Sequence, residues 1–256
     1  MNTVIEPWLD ALQQRHRSAF TTTEFLKSVR ALSARYVERR SSLPARSPID
    51  SAGKRAAFAA FYAPLHLLTT AAIVRALKVD APRRIVDLGC GTGVAGAAWA
   101  LALGTPPPLI GIDSNPWALA ESKWNWRQLG VSGETRRGDL IDACERLLGK
   151  RAALESTGVI AGWSVNELTA AGRTQLLPYL LEFARVGAAV LVIEPVSRAA
   201  TPWWPTWERA FTSAGGQSDS WRFAADLPPI LRTLDEAAGF RRGDLTAKSL
   251  WHSGRA

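Results

Sequence analysis

From Arg84 onward, short runs with strand character alternate with longer segments of helical character. The runs are IVDL, LIGID, ETRRGD, GVIAGW and AAVLVIEP. We predict that these runs form strands and that helices lie between them over 94–104, 115–129, 140–149 and 165–186. Each helix then returns the chain to start a neighbouring strand in the same direction. The alternation therefore predicts an α/β fold with a doubly wound, mainly parallel sheet.

The segments on either side of this alternation are less regular. Before it, residues 23–40 show a helical period, residues 41–53 are a Ser/Pro/Gly-rich linker, and one or two helices continue to about Lys78 with a break near Pro64. We therefore predict an N-terminal helical extension or lid over residues 1–80 and the α/β domain over residues 81–256. The closing GDLTAKSLWH predicts an edge strand, whereas SDSWRF fits a strand or a loop equally well.

The overall charge is strongly basic. Lys and Arg number 31 against 23 Asp and Glu, which gives +8. A charge of this size suits a nucleic acid or another anionic partner, although an ordinary basic enzyme has the same composition. Part of the basic character lies on one face of the predicted helix over 23–40 and comprises Lys27, Arg30, Arg35, Arg39 and Arg40.

Cysteine content and hydropathy limit the other classes. The two cysteines, Cys90 and Cys144, cannot form a four-thiolate zinc or iron–sulfur site, so no metal is predicted. They fit a reducing compartment, and the opening MNTVIEPWLD contains no secretory h-region, so we expect a cytoplasmic protein. Residues 56–74 are uncharged and long enough to cross a bilayer. We predict instead that they form buried helices, and no membrane association is expected.

The glycine-rich loop after the first predicted strand fits two cofactor fingerprints at once. Gly91-Thr92-Gly93-Val94-Ala95-Gly96 matches the G-x-G-x-x-G pattern of dinucleotide sites. Asp87-Leu88-Gly89-Cys90-Gly91-Thr92-Gly93 matches the acid-x-G-x-G-x-G pattern of S-adenosylmethionine sites. Both patterns place a ribose-binding acid about as far downstream as Asp113, so spacing does not separate them.

Charge separates the two cofactors. A dinucleotide places its pyrophosphate against this loop, where the carboxylate of Asp87 would repel it. S-adenosylmethionine has no phosphate and carries an ammonium and a sulfonium, so Asp87 is a favourable neighbour. We therefore predict S-adenosylmethionine as the cofactor.

Two further acids end the next predicted strands. Asp113 ends LIGID and can accept both ribose hydroxyls with its two oxygens, whereas Asp139 ends the third strand, beside Leu140, where it can accept from the adenine amino group. Each acid also has a purely structural interpretation as a helix N-cap. Their order along the strands favours the cofactor interpretation.

This stretch, about residues 84–195, resembles the class I S-adenosylmethionine-dependent methyltransferases, whose Rossmann-like sheet ends in an antiparallel edge strand. The resemblance implies that the loop and strand ends bind the cofactor. The implied cofactor-binding residues are Asp87, Gly89, Cys90, Gly91 and Gly93 at the methionyl part, Asp113, Ser114 and Asn115 at the ribose and adenine, and Asp139 and Leu140 at the adenine.

Residues 158–200 are similar to the mitochondrial ribosomal small-subunit methyltransferase-like (Rsm22-like) family and its bacterial relatives. The similarity is carried by Ser164-Val165-Asn166-Glu167-Leu168 and by Glu194-Pro195. The cysteine cluster that longer members carry after the Glu-Pro strand is missing here. The resemblance and the basic charge imply ribosomal RNA as the acceptor. The alternatives are a small aromatic or heterocyclic N- or O-acceptor, and a non-catalytic, cofactor-binding ribosome assembly factor.

The substrate side gives weaker signals. His66 is one of three histidines and could act as a general base, with Tyr62 and Glu194 as further catalytic candidates. Aromatic and polar residues that could contact the acceptor are Tyr62, His66, Trp163, Ser164, Trp203 and Trp204. Packing in the core is the competing interpretation for the histidine and the tryptophans.

Overall fold

The computed structural model of the chain describes residues 2–38 and 49–254. Ten α-helices lie in these ranges. They are α1 (Asn2–Arg17), α2 (Thr22–Glu38), α3 (Ala52–Ala57), α4 (Ala63–Leu77), α5 (Val94–Ala102), α6 (Pro116–Gln128), α7 (Leu140–Leu148), α8 (Ala170–Arg185), α9 (Trp204–Ser213) and α10 (Pro229–Ala238). A π-helical turn over Phe58–Tyr62 joins α3 to α4.

The strands form one seven-stranded sheet. They are β1 (Arg84–Leu88), β2 (Leu109–Asp113), β3 (Gly133–Arg137), β4 (Thr157–Gly162), β5 (Ala189–Glu194), β6 (Gln217–Ala224) and β7 (Asp244–His252). Their order is β3-β2-β1-β4-β5-β7-β6, and the pairs among β1 to β5 are parallel. The order reverses between β1 and β4, which is where doubly wound sheets form their ligand crevice.

Hydrophobic cores lie on both faces of this sheet, as expected for strands buried on both sides. Successive strand residues alternate between the cores: Ile85 belongs to the one beneath α4 and α5, and Val86 to the one beneath α7 and α8. The predicted Rossmann-like α/β architecture is thus confirmed.

The order of the last two strands differs from the prediction. LTAKSLWH is antiparallel, as predicted, but β7 lies between β5 and β6 rather than at the edge. The edge strand is β6, which contains SDSWRF. Its residues alternate between exposed and partly buried positions, a pattern suited to an edge with one wet face.

The expected helix break near Pro64 is also absent, since the backbone continues through this proline. Pro64 has no N–H to donate to the Ala60 carbonyl four residues earlier. The Gln13 side chain, from α1, donates to that carbonyl at 2.9 Å instead. The π-helical turn and this distant partner together keep Ala52–Leu77 helical.

The helical stretch Ala52–Leu77 is long and apolar enough to cross a membrane by length and composition alone. However, 72% of its most apolar window is buried inside the protein. Ala57, Phe61 and Leu67 each have 0% of their surface exposed. This helix is therefore part of the core of the described structure, which accounts for its apolar composition.

Candidate functional site

A cavity of about 690 Å³ lies at the carboxyl ends of the central strands. Its volume falls within the roughly 300–1,000 Å³ typical of small-molecule sites. The wall is formed by the glycine loop after β1, the residues after β2, β3, β4 and β5, and the helical stretch that contains the π-helical turn. The wall is completed by helix α2, by strand β7 and by the segment that connects α10 to β7.

The glycine loop is shaped by close packing and by left-handed backbone. Gly89 has φ +67°, and a β-carbon there would lie 2.6 Å from the Ser164 β-carbon, so only glycine fits. Ser164 in turn donates from Oγ to the Leu88 carbonyl at 2.9 Å, which ties the β4 loop to the end of β1. A β-carbon on Gly91 would meet no protein atom within 4 Å, which leaves room for a ligand at the cavity wall.

A hydrogen-bond chain from the N-terminal helices holds this loop in place. Trp8 of α1 donates to the Asn125 side chain at 2.8 Å, and Asn125 donates to the Thr92 carbonyl at 2.9 Å. Trp126 donates to the Gly93 carbonyl at 2.8 Å. Because both carbonyls are held from behind, the loop amides are presented in fixed positions.

Asp87, at the end of β1, lies beneath the loop rather than on the cavity wall. Its Oδ2 accepts from the Gly96 N–H at 2.8 Å, and Oδ1 is buried with no hydrogen-bond partner in the described structure. A β-carbon on Gly96 would approach Oδ2 to 2.9 Å, so the glycine permits this contact. Burial, offset in part by the Gly96 bond, raises the pKa of Asp87 to about 7.

Asp113 is oriented by backbone amides. Its Oδ2 accepts from the Gly91 N–H and its Oδ1 from the Asn115 N–H, both at 2.8 Å. Each oxygen retains a lone pair for a ligand hydroxyl. The N-cap of α6 is Asn115, whose Oδ1 accepts from Trp117 N–H at 3.0 Å, so the helix-cap interpretation of Asp113 is wrong.

Asp139, by contrast, is a helix cap. Its Oδ1 accepts from the Ile141 N–H at 2.8 Å and the Asp142 N–H at 3.3 Å at the start of α7. It also lines the cavity together with Leu140. Asp139 can therefore cap α7 with one oxygen and still face a ligand in the cavity, so the helix-cap and cofactor-binding interpretations are compatible in geometry.

Most of the predicted site residues meet at the cavity. Those that line it are Gly89, Cys90, Gly91, Asp113, Ser114, Asn115, Asp139 and Leu140 from the cofactor set, and Tyr62, His66, Trp163, Ser164 and Glu194 from the substrate set. Asp87 lies beneath the loop, and Gly93, the last glycine of the loop, packs against Trp126 and Ser122 instead of lining the cavity.

His66 and Trp163 form a flat aromatic wall. Their rings stack at 3.9 Å between centroids with 5° between planes, and Phe58 meets the imidazole edge-on at 6.0 Å. Burial, and secondarily the positive charge of Arg242, lowers the pKa of His66 to about 3, so the imidazole is neutral at neutral pH. Trp163 has φ 57°, a left-handed conformation that costs a bulky residue about 1–2 kcal/mol.

Glu194 lines the cavity and also organises the loop that forms part of its wall. It has 0% of its surface exposed, and its Oε1 accepts from the Asn166 N–H at 2.9 Å. This bond anchors the loop after β4. The buried carboxylate therefore has a structural role in holding the loop, and its role as a catalytic base stays a prediction.

The paired tryptophans lie elsewhere. The Trp203 ring contacts those of Trp204 and Trp207 in α9, and Lys248 lies 4.4 Å from the Trp204 ring centre. Trp204 is only 6% exposed. Both side chains belong to the core on the α7–α8 face, which corrects the expectation that they bind the acceptor.

Several wall residues escaped the sequence analysis. Phe58, Trp117, Glu167, Arg242 and Thr246 line the cavity. Glu167 is exposed to solvent at the cavity wall, and partial desolvation there, followed by the charge of Asp113, raises its pKa. Glu167 lies in the Ser164–Leu168 turn that carries a family resemblance, which was the available signal for it. The other four gave no local signal.

The residues fit S-adenosylmethionine. The buried Asp87 Oδ1 without a partner sits behind the loop, where a nearby cation would stabilise its charge. Asp113, Asp139 and Glu167 add negative charge along the wall, opposite in sign to the sulfonium and ammonium of the cofactor. A pyrophosphate would meet repulsion at the same positions.

The chain is similar to known proteins in part of its sequence and in its fold. Residues 68–148 match the family model of the methyltransferase small domain. A candidate O-methyltransferase from Nostoc punctiforme has a similar fold, with a TM-score of 0.51, 17% identity and coverage of 90% of this chain and 72% of that one. No match is found among proteins with curated descriptions.

Two other solved structures show weaker likeness. One is an S-adenosylmethionine-dependent methyltransferase from Agrobacterium tumefaciens, with a TM-score of 0.48, 15% identity and coverage of 74% and 62% of the two chains. The other is precorrin-6y C5,15-methyltransferase from Geobacter metallireducens, with a TM-score of 0.49, 10% identity and coverage of 72% and 86%. The family match over residues 68–148, together with the cavity described above, supports methyl transfer from S-adenosylmethionine as the activity of this site.

Proposed function

We propose that the enzyme methylates a small planar acceptor, an aromatic or heterocyclic compound with an oxygen or nitrogen nucleophile. The observation that carries this proposal is the composition of the cavity wall. Its described charged side chains are four carboxylates, Asp113, Asp139, Glu167 and Glu194, and one guanidinium, Arg242. A polyanion would be repelled by this wall, whereas a small ring can lie on the His66–Trp163 stack.

The residues divide the work of binding. Asp113, with its oxygens fixed by the Gly91 and Asn115 amides, is suited to hold the ribose, and Leu140 to pack on the adenine. Asp87 is suited to balance the ammonium from behind the loop. Bound S-adenosylmethionine would supply an electrophilic methyl group: the acceptor lone pair would attack the methyl carbon in line, and the C–S bond electrons would stay on the sulfur of the S-adenosylhomocysteine that leaves.

Catalysis on this proposal depends mainly on positioning. The Trp163 ring is held by the His66 stack, and its backbone N–H donates to the Ile193 carbonyl at 2.7 Å. The neutral imidazole of His66 serves as a flat surface, because a pKa near 3 makes it a weak proton acceptor at neutral pH. Glu167 is the solvent-exposed carboxylate on the cavity wall, a position from which it can take up the acceptor proton.

Ribosomal RNA is the competing acceptor, in keeping with the +8 charge and the resemblance to the ribosomal methyltransferase-like family. The basic face expected to bind RNA gives little support. The Arg30 guanidinium donates to the Ala237 and Ala238 carbonyls at the end of α10 at 2.8 and 3.2 Å. The Arg35 side chain, Arg39 and Arg40 lie outside the described residues. A non-catalytic, cofactor-binding assembly role would use the cofactor end of the cavity but not the acceptor end.

A label-transfer assay tests the proposal. The protein is incubated with methyl-labelled S-adenosylmethionine and either a panel of phenols and N-heterocycles or total RNA. We expect label in a small molecule, loss of transfer in Asp113→Ala, and full transfer in Asp219→Ala, whose residue lies on the edge strand β6.

RNA binding is measured by filter retention over a salt series. A log–log slope near −0.7 per phosphate contact, together with label in the RNA and in none of the small molecules, would contradict the proposal.

A further inference from the structure

We propose that the cavity end beneath α2 and β7 binds an anionic group of the acceptor, so that the substrate is a planar aromatic carboxylate. This inference rests on the proposed function. The side chains that carry it are Ser33, Tyr62, Arg242 and Thr246, which all line the cavity.

Strand order separates this end from the cofactor end. Asp113 ends β2, whereas Thr246 lies on β7, and three strands stand between them. At about 4.8 Å per strand, the two ends of the cavity are roughly 19 Å apart. The His66–Trp163 stack lies between them, because Trp163 directly follows the central strand β4. The cavity thus has room for the cofactor at one end and a ring with a substituent at the other.

Arg242 is fixed in place. Its guanidinium is paired with Asp235, whose Oδ2 also accepts from the Arg242 backbone N–H at 2.7 Å. The guanidinium carbon, Cζ, lies 4.5 Å from the Phe240 ring centre and 5.2 Å from the Phe61 ring centre. A guanidinium has five N–H donors in a rigid plane, so the pairing with one carboxylate leaves donors for a second.

Tyr62 orients this guanidinium. Its Oη donates its only proton to the Val29 carbonyl at 3.0 Å. The hydroxyl oxygen therefore accepts the hydrogen bonds that it shares with Arg242 and Ser33. Tyr62 is on this basis a positioning residue, and the donors left for an anion are those of Arg242 and the hydroxyl of Thr246.

The two ends of the cavity carry different charged groups: Arg242, paired with Asp235, at one end and Asp113 at the other. The positive charge of Arg242 is the second cause, after burial, of the lowered pKa of His66. The negative charge of Asp113 is the second cause, after enclosure, of the raised pKa of Glu167. An acceptor with a carboxylate on one side of a ring would be turned so that its opposite side faces the cofactor. A cationic or phosphate-rich acceptor would gain no such orientation.

The test uses pairs of probes that differ in charge but hardly in shape. We choose 4-hydroxybenzoate with 4-hydroxybenzamide, and indole-2-carboxylate with its carboxamide. Each probe is titrated calorimetrically into protein saturated with S-adenosylhomocysteine. For at least one pair we expect the carboxylate to bind about tenfold more tightly, because charge-assisted hydrogen bonds are stronger than neutral ones.

Two variants then test whether Arg242 and Tyr62 cause the preference for the carboxylate over the carboxamide. Arg242→Lys keeps a cation for Asp235 but loses the planar set of guanidinium donors. Tyr62→Phe loses the hydroxyl oxygen that orients the guanidinium. Both should reduce the carboxylate preference at least about threefold, while S-adenosylhomocysteine affinity and melting temperature verify that the variants are folded. Matched controls are Arg222→Lys on β6 and Tyr179→Phe on α8, where the tyrosine donates to Glu145.

Equal affinity for each carboxylate and its carboxamide, or binding by none of the carboxylates at millimolar concentration, would overturn the inference. An unchanged preference in both variants would overturn it as well. The proposed function fails separately, by loss of S-adenosylhomocysteine binding or by label transfer to RNA alone.

Discussion

Replacing Asp87 with asparagine should make the protein more stable and a poorer binder of its cofactor. The carboxylate is 1% exposed, and one of its oxygens has no partner in the described structure, so its negative charge is costly in the folded state. Burial raises its pKa from the ordinary 3.8 to about 7. Each tenfold change in proton affinity is worth about 1.4 kcal/mol, so this cost reaches about 4 kcal/mol once the group is ionised.

The sign of the pH dependence follows from linkage. Between pH 4 and pH 7 the folded protein holds a proton on Asp87 that the unfolded chain has released, so the contribution of this group to stability falls as pH rises. Below pH 4 both states are protonated and no penalty exists. The Asp87→Asn variant should therefore match the wild type near pH 4 and exceed it by up to about 4 kcal/mol at pH 8.

Urea denaturation at pH 4, 6 and 8 measures the difference in unfolding free energy, and calorimetry with S-adenosylhomocysteine measures the functional cost. We expect wild-type affinity to rise through pH 7 as Asp87 ionises, and the variant to lose this rise and to bind about tenfold more weakly at pH 8. A variant that is destabilised equally at all three pH values would refute the reasoning, because it would show that the carboxylate is ionised and well solvated in the folded protein.

Two other substitutions separate structural from binding roles. Asp113→Ala should weaken cofactor binding by about 2–4 kcal/mol in calorimetric titration. Asn115→Ala should lower the unfolding free energy by about 1 kcal/mol through loss of the helix cap, with a smaller effect on affinity. The reverse pattern would contradict the assigned roles. Gln13→Leu should lower the unfolding free energy by about 1–3 kcal/mol, since it leaves the Ala60 carbonyl buried without its donor. A wild-type urea midpoint for that variant would rule out the proposed support of the helix at Pro64.

The cofactor end of the site was predictable from sequence because its signals are local. Gly89, Asp113 and Asp139 lie at or within two residues of the ends of β1, β2 and β3, and parallel strands bring their carboxyl ends to one edge. The sequence did not show which of the two acids, Asp113 or Asp139, caps the helix that follows it. Asp113 and Asp139 have the same apparent position, yet Asn115 caps α6 and leaves Asp113 to bind Gly91.

The acceptor end was largely unpredictable because it is assembled from distant segments. Arg242 reaches the cavity through contacts with Phe61 and Asp235, and neither contact leaves a periodic pattern in the sequence. The continuity of the helix at Pro64 depends on Gln13, 47 residues from Ala60. The order of β6 and β7 depends on strand pairing, which hydrophobic alternation does not encode.

The +8 charge is compatible with a small anionic acceptor as well as with RNA, because a charge count does not say where the charge lies. The described cavity wall has more carboxylates than cations, so most of the positive charge lies elsewhere on the protein. A positive exterior raises the encounter rate with an aromatic carboxylate, and Arg242 then provides its binding partner inside. The salt dependence of binding affinity distinguishes the two ligands. A single carboxylate displaces few counterions and gives a shallow salt dependence, whereas several phosphates give a steep one.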